Sequence, residues 1–305
     1  MMARRALRSV SEPPDPPAPP RIVTVRRLRR RRWHRLPGVR RLVALRRRVE
    51  GRLAAAAKLE TAPPERFGFR FVDASRLFFV TALFHRWYFR VESHGLGSLP
   101  AGPVLLVANH GSHVLAWDGA MIVTACLMDA ETPRLAHGMA EHRLMSLPIL
   151  GKVARRIGAV AGNRAACEAL LRSSAVVLTF PEGVKALRKP FRARYRLAPF
   201  GHGFVHVALA TGAPIVPVAV IGAEEEAPLL ANPSWLARLL RTPVAPLAPT
   251  LFVPLPVKYR LHFGAPIHVD GPPTEDVVGR HVATVRSELQ ALVRRGLACR
   301  RHAFF

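Results

Sequence analysis

Residues 104–118 read VLLVANHGSHVLAWD. Five apolar residues, Val104 to Ala108, run into Asn109-His110. A short Gly/Ser loop carries a second histidine, His113. Asp118 then opens a helix-like run, GAMIVTACLM. The pattern predicts a buried strand handing over to a helix, the place where open α/β sheets put their chemistry. A histidine is the side chain best suited to general-base work near neutral pH. It needs a carboxylate to hold one ring nitrogen and to stabilise the imidazolium. Asp118 follows His113 by five positions and His110 by eight. Either spacing lets the loop fold an imidazole back onto the first helical turn. The competing structural reading makes Asp118 a helix N-cap and both histidines polar loop residues.

Outward from this stretch, strand and helix patterns alternate. Strands are expected at 159–160, 175–180 (AVVLTF), 214–221 (PIVPVAVI) and 257–263. Helices are expected at 118–129, 140–157, 165–173, 203–211 and 275–295. Residues 231–256 are apolar and interrupted by proline, and read as a loop or broken helix. Such alternation implies an α/β fold with a mostly parallel, mixed sheet flanked by helices.

The N-terminal part differs. Residues 1–60 hold 18 Lys and Arg against 4 Asp and Glu, within a chain of formal net charge +26. Residues 1–36, Pro-rich and then Arg-dense, read as disordered. Residues 38–60 read as a basic amphipathic helix with Val39, Leu42, Val43, Val49 and Leu53 on one stripe. Residues 75–92, with LFFVTALFHRWYFR, read as an aromatic helix suited to a headgroup region. Three parts follow: a basic tail and helix (1–60), a membrane-interface region (61–94), and a catalytic domain (95–305). No apolar run reaches the roughly 18 residues that a spanning helix needs. The expected location is the cytoplasmic face of a membrane, peripheral or monotopic, with anionic lipid as partner. Cys126, Cys167 and Cys299 show neither disulfide nor metal spacing.

Three more segments carry chemistry. GAVAGNR (158–164) ends in Arg164, a residue type suited to bidentate phosphate binding. Phe180-Pro181-Glu182-Gly183 follows a buried strand, with amides around Gly183 for an anion and Glu182 for a hydroxyl or cation. Ile215-Val216-Pro217-Val218 is a core strand. In order and spacing these segments resemble the four blocks of the glycerolipid acyltransferases, the 1-acylglycerol-3-phosphate acyltransferase-like family. The likeness runs from about Tyr88 to the C-terminal helix. YRLAPFGHGFVHVALATGAPIVPVAVIGAEE (195–225) and PLPVKYRLHFGAPI (254–267) look most like bacterial relatives of the diacylglycerol-forming branch.

The resemblance implies a histidine base, oriented by Asp118, that activates an acceptor hydroxyl. The alkoxide would attack the thioester of acyl-CoA or acyl carrier protein, a co-substrate, with no cofactor or metal. Arg164, Glu182, Gly183 and Lys185 would hold the acceptor. The chain departs from the family pattern in two blocks, and its basic residues 1–60 lie outside the family core, so nothing transfers to them. Asn109-His110-Gly111-Ser112 matches the family's Asn-His-x-Ser, which favours His110, yet only His113 keeps the family's four-residue gap to Asp118. Val184-Lys185 stands where the family has a hydroxyl residue and arginine, which leaves room for a neutral glyceride acceptor. The alternatives are an esterase or thioesterase using Ser112, which lacks a Gly-x-Ser-x-Gly elbow, and a non-enzymatic basic protein binding membrane or nucleic acid. The arginines sit on no recognisable nucleic-acid fold, so no specific nucleic acid is expected.

Overall fold

The computed structural model describes residues 37–61, 68–111, 116–140, 145–146, 150–156, 158–229, 233, 235, 238, 250 and 253–304. The chain divides into two units, Met1–Arg41 and Leu42–Phe305. Of the first, the described part is the opening turn of helix α1 (Pro37–Ala57).

The second unit is built on a seven-stranded sheet. Its strands are β1 (Glu92–His94), β2 (Val104–Ala108), β3 (Ala136–Ala140), β4 (Val160–Ala161), β5 (Val176–Thr179), β6 (Ile215–Ile221) and β7 (Arg260–Phe263). The order is β1-β7-β6-β2-β5-β3-β4. β2 pairs in parallel with β5 (Val104 opposite Val176) and with β6 (Leu105 opposite Ile215). β7 runs antiparallel to β6 and parallel to β1. The fold is therefore the expected α/β sheet, mixed and mostly parallel.

Every residue of β2 and β6 is buried, as strands covered on both faces must be. Alternate side chains enter two cores. Leu105, Val107 and Ile215 meet the helices Arg164–Arg172 (α5), Gly203–Thr211 (α6) and Glu275–Ala298 (α8). Val104, Leu106 and Val218 meet Met121, Ile122 and Ala125 of α3 (Trp117–Met128). Other α-helices among the described residues are α2 (Phe71–Leu83), α4 (Leu150–Arg156) and the single turn α7 (Ala223–Glu226).

Much of the α1 stripe is used inside the protein. Leu45, Val49 and Leu53 pack with Phe78 of α2 and with Leu127 and Met128 at the end of α3. Arg52 donates to the Leu127 carbonyl and Arg48 to that of Met128, placing cations on the negative end of the α3 dipole. Leu42, Val72, Val80 and Trp87 remain exposed. Among the described residues no helix is long and apolar enough to cross a membrane.

Several elements differ from the sequence expectation. β1 and β3 are strands that the pattern did not announce. β3 is the segment AHGMA, which lacks the β-branched residues of its neighbours. It is held by His137, whose ring lies 2.9 Å from the Gly158 carbonyl and 2.9 Å from Glu60. Of the helix expected at 140–157, residues 145–146 and α4 are helical, while 141–144, 147–149 and 157 lie outside the described residues. The helix expected at 75–92 is α2 followed by a π-helical turn, Phe84–Tyr88. The strand expected at 257–263 shortens to β7. Most of 231–256 lies outside the described residues.

Candidate active site

Parallel strands bring the ends of β2, β5 and β6 to one edge of the sheet. Asn109 follows β2 and is fully buried. Its side-chain amide donates to the Val220 carbonyl at 3.0 Å, and its oxygen accepts from the Val220 amide at 2.7 Å. The side chain thus continues the β2–β6 ladder one step past the strand and fixes where His110 emerges.

His110 Nδ1 lies 2.6 Å from Asp118 Oδ2. The same oxygen accepts the Gly111 amide at 2.9 Å, and Oδ1 accepts the Gly119 amide at 2.7 Å. Asp118 is completely buried, and Ala116, two residues before it, is held at φ 44°. A non-glycine residue in the left-handed region is the kind of local strain that collects at functional sites. The imidazole stacks on Phe180 with ring centroids 4.4 Å apart. Burial alone would depress its pKa, but the Asp118 charge and hydrogen bond outweigh it, and the net shift is upward from the usual 6.5. Ser112 and His113 lie outside the described residues.

Glu182, after β5, is buried and faces inward. Its Oε1 accepts the His110 amide at 3.2 Å, and its Oε2 accepts the Ala198 amide at 2.6 Å. Lys189 lies 3.6 Å from Glu182 and 3.2 Å from Glu224, which follows β6. Glu224 also accepts the Tyr195 amide at 3.0 Å. Burial pushes the Glu224 carboxyl above its ordinary range; Lys189 opposes the shift and Glu182 adds to it. One lysine between two buried carboxylates therefore ties the three loops together. Gly183 and Lys185 are exposed on the same turn. Arg164 opens α5 and is also exposed, paired with Glu168 at 2.7 Å.

The sequence reading missed Lys189 and Glu224. The usable signal for Glu224 was its place directly after β6, at the edge that already held His110 and Glu182. Burial pushes the Cys126 and Cys167 thiols up to about 12, so neither is a ready nucleophile.

Gly111 has a packing reason. A Cβ there would stand 2.5 Å from Glu224 Cγ, 3.0 Å from the Glu224 amide nitrogen and 3.1 Å from Ala223 Cβ. Glu224 is pinned and its backbone cannot yield. Gly111→Ala is expected to destabilise the fold by about 1–3 kcal/mol, read by urea denaturation.

Residues 90–221 match the family model described as Acyltransferase. The chain belongs to the acyltransferase family. An uncharacterized protein of Mycobacterium leprae is 36% identical over 257 residues, covering 79% of this chain and 70% of its own. One from Mycobacterium tuberculosis is 38% identical over 236 residues, covering 73% of this chain and 66% of its own. The chain thus spans about two thirds of the length of these relatives. A Gallus gallus protein described as a DGAT1/2-independent enzyme synthesizing storage lipids is 26% identical, covering 66% of this chain and 58% of its own. The crystal structure of the 1-acyl-sn-glycerophosphate acyltransferase of Thermotoga maritima superposes with TM-score 0.46 at 18% identity, covering 86% of this chain and 98% of that one.

Proposed function

We propose that this acyltransferase moves a fatty acyl group from acyl-CoA or acyl carrier protein to a hydroxyl of a glycerolipid, working at a membrane surface with His110 as base. The observation that carries the reading is the 2.6 Å contact between His110 Nδ1 and buried Asp118. With Nδ1 held, Nε2 is the nitrogen left for the acceptor hydroxyl. It removes the hydroxyl proton as the oxygen attacks the thioester carbonyl. The tetrahedral intermediate collapses, the C–S bond breaks, and the imidazolium returns its proton to the leaving thiolate. Asp118 stabilises the imidazolium between these steps.

Gly183, Lys185 and Arg164 are exposed at or near this edge and are the groups proposed to meet the acceptor. A lysine in place of the family's arginine loses forked phosphate recognition. The storage-lipid description of the vertebrate relative points the same way, toward a partial glyceride rather than a phosphorylated acceptor. Exposed Val72, Val80 and Trp87 on α2 and the π-helical turn support an interfacial seat.

The test is one labelled acyl-CoA offered with lysophosphatidate, other lysophospholipids, mono- and diacylglycerol, and a long-chain alcohol. Product is expected only with an added acceptor, and best with a partial glyceride. Thioester cleavage at an equal rate without any acceptor would replace the reading with a hydrolase.

A further inference from the structure

A cavity of about 530 Å³ lies away from His110, between α1, the π-helical turn and the start of β1. Its size is in the range of small-molecule sites. Four permanent cations line it, Arg48, Arg86, Arg90 and Lys258, together with His85. The wall holds two carboxylates, and both have partners. Glu92 pairs with Lys258 at 2.6 Å and with Arg260 at 3.3 Å. Asp129 lies 3.0 Å from His85 Nε2 and accepts Ser93 Oγ at 2.8 Å.

Three guanidiniums are left without a carboxylate among the described residues. Among the described residues Arg48 donates to the Met128 carbonyl, at 3.1 Å. Arg90 donates to the carbonyls of Tyr88, Pro256 and Phe304, at 2.6–2.8 Å. These bonds aim the side chains without placing either guanidinium within ion-pair distance of a described carboxylate; Arg48 acts on Asp129 only from farther off, helping to hold its carboxyl below the usual range. Arg86 is exposed and makes no hydrogen bond or ion pair among the described residues.

Two backbone features mark the same wall. His85, Arg86 and Trp87 sit on the π-helical turn, a rare geometry that concentrates at functional sites. Arg90 is held at φ 47°, a conformation that costs a non-glycine residue energy. Ordinary helix continuation would remove both features and turn these side chains elsewhere.

We propose that this cavity is a binding site for a phosphate group, held by Arg86 with Arg48 and Arg90 behind it. Guanidiniums pinned through part of their fork keep further N–H groups for phosphate oxygens. A phosphodiester headgroup and a soluble phosphoanion share this chemistry. Neither the site nor its test depends on the acyl-transfer reading, because the readout is binding without turnover.

The experiment uses the full chain at about 0.15 M salt, where the Debye length of about 8 Å suppresses loose attraction to the basic tail. The probes are inorganic pyrophosphate, by calorimetry, and phosphatidylcholine vesicles with or without phosphatidylglycerol, by co-sedimentation. Arg86→Glu is compared with Arg76→Glu, the same charge change on α2 outside the cavity lining. At least a tenfold weakening specific to Arg86→Glu is expected. If it appears with pyrophosphate, the site takes free phosphoanions. If it appears only with phosphatidylglycerol vesicles, the site takes a lipid headgroup. Equal losses in the two variants, or no binding of either probe, would overturn the proposal.

Discussion

Asp118→Asn is expected to lower acyl transfer by about 10²–10⁴-fold while leaving a folded protein. The asparagine keeps an oxygen for one of the two backbone amides, Gly111 or Gly119, that the carboxylate now accepts. It cannot supply the charge that supports an imidazolium, and its amide can present a donor to Nδ1 and favour the wrong tautomer. His110→Ala is expected to fall at least as far. A kcat measurement with saturating acyl-CoA, beside circular dichroism of each variant, checks both. An Asp118→Asn variant with wild-type turnover would remove the mechanism.

The pH dependence follows from the same contact, and rate and stability move in opposite directions. Asp118 raises the folded-state pKa of His110 above its ordinary value, against the effect of burial. Catalysis needs the free base, so kcat/KM is expected to rise with pH until that raised value is passed. Without the carboxylate, burial is the largest influence left, only partly opposed by the Glu182 charge, and the acid limb of the profile moves to lower pH. For stability, the contribution of the pair is fully present below the unfolded-state pKa and is lost as pH rises through the folded one.

How much of this was legible in sequence depends on the range of each contact. β2, the start of α3 and the His110/Asp118 approach lie within fifteen residues, and an apolar run stopping at Asn-His announces them. β6 announces itself by seven consecutive apolar residues. β3 does not, because AHGMA carries no strand pattern and its buried histidine is held by Glu60, 77 residues away. β1 is short and polar because it is an edge strand, where a hydrophobic pattern is a liability. The same logic applies to the tail-side helices. The arginines and apolar stripe of α1 predict a surface-seeking helix, but the sequence could not show that Val49 and Leu53 are claimed by α2 and α3. Asn109 was visible only as part of a motif. Its work as a clamp on Val220 appears once β6 is laid beside β2.

Glu182→Ala is expected to destabilise the protein by about 3–5 kcal/mol, the cost of removing one partner from a buried charged cluster. The alanine leaves the His110 and Ala198 amides without their acceptor and Lys189 with Glu224 alone. Because one of those amides belongs to the base itself, the rate is expected to fall about 10²-fold, since a displacement of about 1 Å at the reacting group is enough. Glu182→Gln separates this bracing role from direct acceptor binding. Glutamine offers one oxygen where two amides need acceptors, and its own amide meets the second as donor against donor. Bracing therefore predicts a lowered Tm and a lowered kcat with little change in KM for the acceptor. Acceptor binding predicts a raised acceptor KM with Tm unchanged. The first outcome is expected, because both carboxylate oxygens already face backbone amides and the side chain is closed to solvent. Calorimetric Tm and an acceptor titration on the one variant decide between them.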